Sequence, residues 1–213
     1  MTKIKTAFSS YSKYLKANWK KVLAAYLMLL TTFIIFFAID QITKTLLFHH
    51  IDVNAMIKAG KSTGVIDGHQ IGPETIYPNQ SEWINYGLFG LRSIWHKGVT
   101  FMSTGNIAFI QAISFIISII ILLVPLYPGK HMLLYAALFG ILLAGDIGNA
   151  TDRIAFHGYV KDIFYVPWFD KGTFNFADCS VFVSVIAIMI VIITNLIIEY
   201  IKEKKEKTQK PMS

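Results

Sequence analysis

Residues 22–39 read VLAAYLMLLTTFIIFFAI, an unbroken apolar run without a charge, and residues 40–44 then read DQITK. A bilayer core is crossed by about 20 apolar helical residues. The run therefore predicts a membrane span that ends at Asp40 and Lys44. Lipid offers no partner for an unpaired backbone amide, so the span must be helical. A cleavable signal peptide is the alternative, because Lys3, Lys5, Lys13, Lys16, Lys20 and Lys21 precede the run. The run exceeds the usual signal core of about 7 to 15 residues, and no small-x-small cleavage site follows it. The span is expected to stay in the protein.

Three further stretches extend this reading. Residues 107–127 and 179–198 are long apolar runs, and residues 132–144 reach spanning length if the helix continues through Gly145-Asp146-Ile-Gly148-Asn149. The composition agrees: 54% of the 213 residues are hydrophobic and 15% charged, whereas soluble domains carry about a quarter charged residues. The expected fold class is a membrane all-α protein with four transmembrane helices, at about 22–48, 106–127, 132–150 and 177–198. Residues 1–21 form a basic N-terminal segment, 22–200 the four-span domain and 201–213 a lysine-rich tail that reads as disordered.

Four spans put both termini on one side, and both are basic, with Lys202, Lys204, Lys205, Lys207 and Lys210 following the last span and Lys130 in the turn between the second and third. The connection from His49 to Thr100 instead balances Lys58, Lys61, Arg92 and Lys97 against Asp52, Asp67, Glu74 and Glu82. The positive-inside rule predicts cytoplasmic termini. The net charge of +7 is then a topology signal and calls for no nucleic acid. The basic first segment either lies on anionic lipid, anchored by Phe8, Tyr11, Tyr14 and Trp19, or is a solvated tail.

The outer loop, about 49–105, is turn-rich in its first half, with Gly60, Gly64, Gly68, Gly72, Pro73 and Pro78. Its aromatic later stretch, Trp83 to His96, is open to short β-strands or to an interfacial element. The lone Cys179 has no disulfide partner and reads as a small packed residue before it reads as a nucleophile. Histidines at 49, 50, 69, 96, 131 and 157 show no metal-binding spacing. No metal site is expected.

Ionisable residues at span ends are costly, so their placement is informative. Asp40 and Lys44 close the first span, Asn149, Asp152 and Arg153 the third, and Asn175 and Asp178 open the fourth, all at the outer face with Asp162 in the loop between. Asp40 and Lys44, four apart, share a helix face in the favourable order, and the pair reads first as an anchor, the lysine snorkelling to the headgroups as at many span ends. Asp152 and Arg153 read as a charge-compensated structural pair. That leaves Asp162 and Asp178. Two close carboxylates in a poorly hydrated site share a proton and make a working acid and base, but spacing alone equally allows solvated loop and helix-start aspartates, an acid being favoured in a first turn anyway.

Taken together, the blocks resemble lipoprotein signal peptidase (signal peptidase II), a family of bacterial membrane aspartyl peptidases. Asp40-Gln-Ile-Thr-Lys44 is similar to the family's D-Q-x-T-K, Gly98-Val-Thr-Phe101 to N-x-G-x-A-F, Gly148-Asn-Ala-Thr-Asp152-Arg153 to G-N-x-x-D-R, Val160-Lys-Asp162 to V-x-D-F, and Phe174-Asn175-Phe-Ala177-Asp178 to F-N-x-A-D. Five blocks in order on a four-span frame are specific. The resemblance implies that Asp162 and Asp178 are the catalytic dyad and that Asn149, Arg153 and Asn175 bind or orient the substrate. Asp40, Lys44 and Asp152 would support the site, with Gly98 and His96 beside it. It further implies cleavage of a diacylglyceryl-modified prolipoprotein just before its lipidated cysteine, in the bacterial cell membrane, at the outer face. Neither metal nor organic cofactor is needed, and the partners are the lipid-modified prolipoprotein and membrane lipids, the protein itself acting as a monomer.

The chain departs from the pattern locally. His96 stands where asparagine is usual, Asp146 follows Gly145 where a small residue is usual, and Ile163 replaces the phenylalanine after Asp162. Asp146 would tune the dyad or compete for its proton. Two other function classes were weighed: a small carrier or channel, which would need ionisable groups through the bilayer midplane, and a catalytically inactive scaffold of the same fold. The middles of the first, second and fourth spans carry no charge.

Overall fold

The computed structural model describes residues 2–48, 64–66, 69–71, 76, 80–97, 106–127 and 129–209. Four long helices carry the chain: α1 (Thr2–Leu47), α2 (Ile107–Leu123), α3 (Met132–Ala155) and α4 (Phe176–Gln209). Among the described residues, each contains a segment long and apolar enough to cross a membrane. Between them lie β1 (Gly64–Ile66) paired with β2 (His69–Ile71), and a second antiparallel sheet ordered β3 (Ile84–Asn85), β4 (Gly90–Lys97), β5 (Tyr159–Tyr165), β6 (Thr173–Phe174).

The helix α3 is the hub, packing against α1, α2 and α4. That position explains its composition: it is the least apolar of the four and the most buried, because polar side chains that face protein escape the cost of facing lipid. Conversely Ile34, Ile119 and Ile190 are 60%, 61% and 58% exposed. Apolar side chains left uncovered along a helix are a lipid-facing surface. One core cluster joins α1, α2 and α3 through Leu29, Ile121, Ala136 and Leu143. A second lies under the larger sheet, where Phe48, Trp95, Tyr159 and Ile163 meet.

One sequence expectation changes, that of the tail, and two stretches left open take a defined form. The segment before the first span is helical and continuous with it, bending at Asn18 (φ −114°, ψ 17°), whose side-chain amide donates to Tyr14 O at 3.0 Å. Tyr11 Oη donates to Leu126 O at 2.9 Å, tying this segment to the far end of α2. The tail expected to be disordered continues α4 as helix to Gln209. Its acids and bases recur at helical spacing, Glu199 with Lys202 and Glu203 with Lys207, which favours that state. Finally, the aromatic stretch from Trp83 forms strands β3 and β4.

Candidate functional site

Three helix ends and one strand supply the polar cluster. The chain leaves α3 through His157 (φ 53°) and Gly158 (φ 94°). Gly158 N donates to Arg153 O at 2.8 Å, closing the helix in a left-handed turn. The reversal sends β5 antiparallel to β4, with Asp162 opposite Ile94. The start of α4 is a reciprocal cap: Asp178 N donates to Asn175 Oδ1 at 2.9 Å and Asn175 N to Asp178 Oδ2 at 3.0 Å. This is a capping box in which one acid satisfies the helix start and is fixed by it.

Asp40 and Lys44 lie in the bundle, each 1% exposed, with Nζ to Oδ2 at 2.9 Å. Lys44 Nζ also reaches Asp152 Oδ2 at 3.0 Å and Asn149 Oδ1 at 3.0 Å. Beside its sequence neighbour Arg153, whose charge it also feels, Asp152 therefore has a cation partner on another helix. Neighbours on a helix point about 100° apart, and Asp152 turns towards α1. The other oxygen of Asp40, Oδ1, accepts from Ala177 N at 2.8 Å, so Asp40 holds the first turn of α4 against α1. Close approach is needed here. A Cβ on Gly148 would sit 2.6 Å from Asp40 Oδ2, and one on Gly145 would sit 2.5 Å from Ala177 O.

Asp162 and Asp178 are held differently, by amides. Asn175 is fully buried, and its Nδ2 donates to Asp162 Oδ1 at 2.7 Å and Asn149 Oδ1 at 3.0 Å, with Lys161 O a third acceptor at 3.3 Å. Asn149 Nδ2 donates to Asp178 Oδ1 at 2.8 Å. Asp162 is buried, and this desolvation pushes its carboxyl well above the ordinary carboxylate range. The charge of Asp178 pushes the same way, while the Asn175 hydrogen bond and Lys44 oppose it. Arg153 is buried, and its strongest charge interactions are with Asp178 and then Asp162.

The structure thus gathers Asp40, Lys44, Asn149, Asp152, Arg153, Asp162, Asn175 and Asp178. His96 sits on β4 opposite Val160. Opposed residues share a sheet face and alternate residues repeat it, so His96 is on the Asp162 face and half-buried. Gly98 lies outside the described residues. Among the described residues, Asp146 makes no hydrogen bond to Asp162 or Asp178. Its two oxygens accept from Ser114 Oγ at 2.7 Å and Ser118 Oγ at 2.9 Å on α2. These serines escaped the sequence reading, although their four-residue spacing inside an apolar run puts them on one helix face. Lys161, also missed, is buried beside Asp162. Cys179 is half-buried in α4. Among the described residues no three His, Cys, Asp or Glu side chains converge as metal ligands. The arrangement offers one shielded carboxyl that favours its proton and one more accessible carboxyl, joined through amides: the components of general acid–base hydrolysis.

The signal peptidase II (SPase II) family model matches residues 32–194 of the chain. A lipoprotein signal peptidase from Lactiplantibacillus plantarum is 28% identical over 166 residues, covering 78% of this chain and 91% of that protein. Another from Enterococcus faecalis is 31% identical over 108 residues, covering 50% of this chain and 66% of its own length. A solved bacterial membrane enzyme superposes with a TM-score of 0.55 at 19% identity, over 87% of this chain and 93% of that one. At that identity the superposition speaks for the fold.

Proposed function

The chain belongs to the signal peptidase II family of aspartic peptidases, and we propose that it removes the signal peptide from diacylglyceryl-modified prolipoproteins, cutting before the lipidated cysteine. Asp162 and Asp178 are the catalytic dyad in this reading. The observation that carries it is Asn175, which donates to Asp162 at 2.7 Å and, through its backbone amide, to Asp178 at 3.0 Å. One rigid residue thereby fixes both carboxyls.

The dyad holds one proton, because two nearby carboxylates in a desolvated site resist ionising together. The ionised member takes a proton from water as the water oxygen attacks the scissile carbonyl carbon. The protonated member gives its proton to the carbonyl oxygen. Collapse of the tetrahedral intermediate breaks the C–N bond, and a proton passes to the leaving amine, freeing the signal peptide's carboxyl end and the amine of the lipidated cysteine. Arg153, Asn149 and Asn175 orient the peptide, and His96 flanks the dyad's face. Asp40, Lys44 and Asp152 hold the three helix ends together. With cytoplasmic termini, the site opens at the outer face of a bacterial cell membrane, so the diacylglyceryl chains stay in lipid while the bond is presented at the interface.

The test is cleavage of a lipidated prolipoprotein by the purified protein, with the released peptide identified by mass. Asp162→Asn and Asp178→Asn should both be inactive, and full activity in either removes that residue from the dyad.

A further inference from the structure

Lys161 follows Val160 on β5 and points to the sheet face opposite that of Asp162, since successive residues of a strand alternate. It is 5% exposed. Its ammonium lies 4.4 Å from the ring centre of Phe156, 5.8 Å from that of Trp95 and 5.9 Å from that of Phe48. These rings pack on one another through Trp95, at 4.8 Å and 4.9 Å, and form an aromatic wall that attracts a cation through its quadrupoles. Burial pulls the amine below the ordinary lysine range, and Lys44 adds to this, while Asp152 and Asp40 hold the proton on. An isolated buried ammonium is expensive unless carboxylates balance it. A leucine would suit this aromatic cluster better than a charge if packing alone were at issue.

The charge makes sense when its neighbours are counted. From α1 come Asp40 and Lys44, from α3 Asp152 and Arg153, from α4 Asp178, and from β5 Asp162 and Lys161 itself. His96 of β4 lies across the sheet, and Asp146, held by Ser114 and Ser118, interacts with Arg153. Lys44 is divided between two carboxyl groups, those of Asp40 and Asp152, at 2.9 Å and 3.0 Å. Both of these also act electrostatically on Lys161, which brings a second positive charge to them. The strand also links the two mechanically: Lys161 N donates to Asp152 Oδ2 at 3.2 Å, and Asp152 shares Lys44 with Asn149, which donates to Asp178 at 2.8 Å.

We infer that Lys161 is a positioning residue for the hydrolysis: its charge offsets Asp152 and Asp40, the buried acids beside the dyad, so that Asp162 and Asp178 keep one proton between them. The inference rests on the dyad reading given above. Without the charge the two carboxyls face a more negative surrounding, and both their apparent proton affinities rise.

The experiment is the pH profile of prolipoprotein cleavage by the full-length protein in detergent, for Lys161→Met, Lys161→Gln and Lys161→Arg. Both neutral variants should move the profile upward by roughly half to one pH unit, the effect of losing one charge at an effective dielectric near 20. Lys161→Arg should return the native profile. A neutral variant whose profile overlays the native one, with only its height reduced, overturns the inference, as does failure of arginine to restore the position. If both neutral variants fail to fold, Lys161 is a structural cation and the inference is wrong. Asp162→Asn and Asp178→Asn run alongside. Activity in either defeats the dyad reading, whereas two inactive variants with an unmoved Lys161→Met profile defeat this inference alone.

Discussion

Two groups of aspartates lie within one cluster and are stabilised in opposite ways. Asp40 and Asp152 are both bound to Lys44, at 2.9 Å and 3.0 Å, and are sealed from solvent. Asp162 and Asp178 receive hydrogen bonds from the neutral amides of Asn175 and Asn149, with the charge of Arg153 acting on both without a direct lysine pair. A carboxylate tied directly to a lysine is held in its ionised form by that partner and is of little use for proton transfer. One held by amides keeps its geometry while its proton remains free to move. On the reading proposed above, the same residue type is a strut in one place and chemistry in the other, and the partner decides which.

The largest effect that would break this contrast concerns rate. Asp162→Asn and Asp178→Asn should each lower cleavage by about 10²- to 10⁴-fold or more, the range of general acid–base catalysis. Asn175→Ala should follow, since it releases Asp162 and removes the cap of α4. A loss of about 10²-fold in kcat with a smaller change in KM is expected, because misplacing a catalytic group is felt in the transition state. If Asp40→Asn lost as much rate as Asp162→Asn while remaining fully folded, the division between strut and dyad would fail.

On the strut side the readout is stability. Lys44→Met leaves Asp40 and Asp152 facing each other without compensation, and breaking a buried pair from one side costs about 3 to 5 kcal/mol. Thermal unfolding in detergent should show it as a large drop in Tm. A change within experimental error would mean that the cluster is held by helix packing and that its charges are incidental.

Much of this was legible in the sequence, but unevenly. The run from Val22 to Ile39 declares its span because hydropathy is a local property, and Asp40, Asn149 and Asn175 declare themselves by falling at span ends. Partner choice is not local. Asp152 sits beside Arg153 in sequence yet bonds to Lys44 of another helix, since the rotation per residue outweighs adjacency. Asp146 takes its hydrogen-bond partners, Ser114 and Ser118, from α2, a contact between two spans that neither run displays alone. The pairing of Asp162 with Asp178 needed the family resemblance, because bringing a strand to a helix start depends on the turn at His157 and Gly158, which spacing does not encode. The aromatic wall beside Lys161 draws Phe48 from the end of α1, Trp95 from β4 and Phe156 from the end of α3, a convergence that no single stretch of sequence displays.

A smaller effect sharpens the contrast by its sign. The carboxyl of Asp162 is raised by burial and by Asp178. Its neutral form is the one the fold prefers, so the contribution it makes is fully present below the unfolded carboxyl value of about 3.9 and is lost as pH rises through the folded value. Asn copies the neutral form and keeps an acceptor for Asn175. Asp162→Asn should therefore raise Tm at pH 7.5 while abolishing cleavage, and the gain should vanish near pH 4. A drop in Tm at pH 7.5 would show Asp162 to be a strut after all.

The smallest effect uses a charge pair in water as the reference. Arg92 Nη2 meets Asp170 Oδ1 at 2.7 Å in a two-pronged contact, but Asp170 is 41% exposed. Arg92 holds its carboxyl below the ordinary range, so the contribution of the pair is present above the unfolded value and disappears as acid takes the pH down through the folded one. Solvent and salt screen such a pair, and Asp170→Asn should cost only about 0.2 to 1 kcal/mol and leave cleavage unchanged. Arg92→Ala should cost more than Asp170→Asn, because the guanidinium also packs against the edge-to-face pair of Trp83 and Tyr165, at 4.5 Å and 4.6 Å from their ring centres. Were Asp170→Asn to destabilise the protein as much as Lys44→Met, burial would not be what separates a strong pair from a weak one, and the contrast drawn between the two groups of aspartates would lose its physical basis.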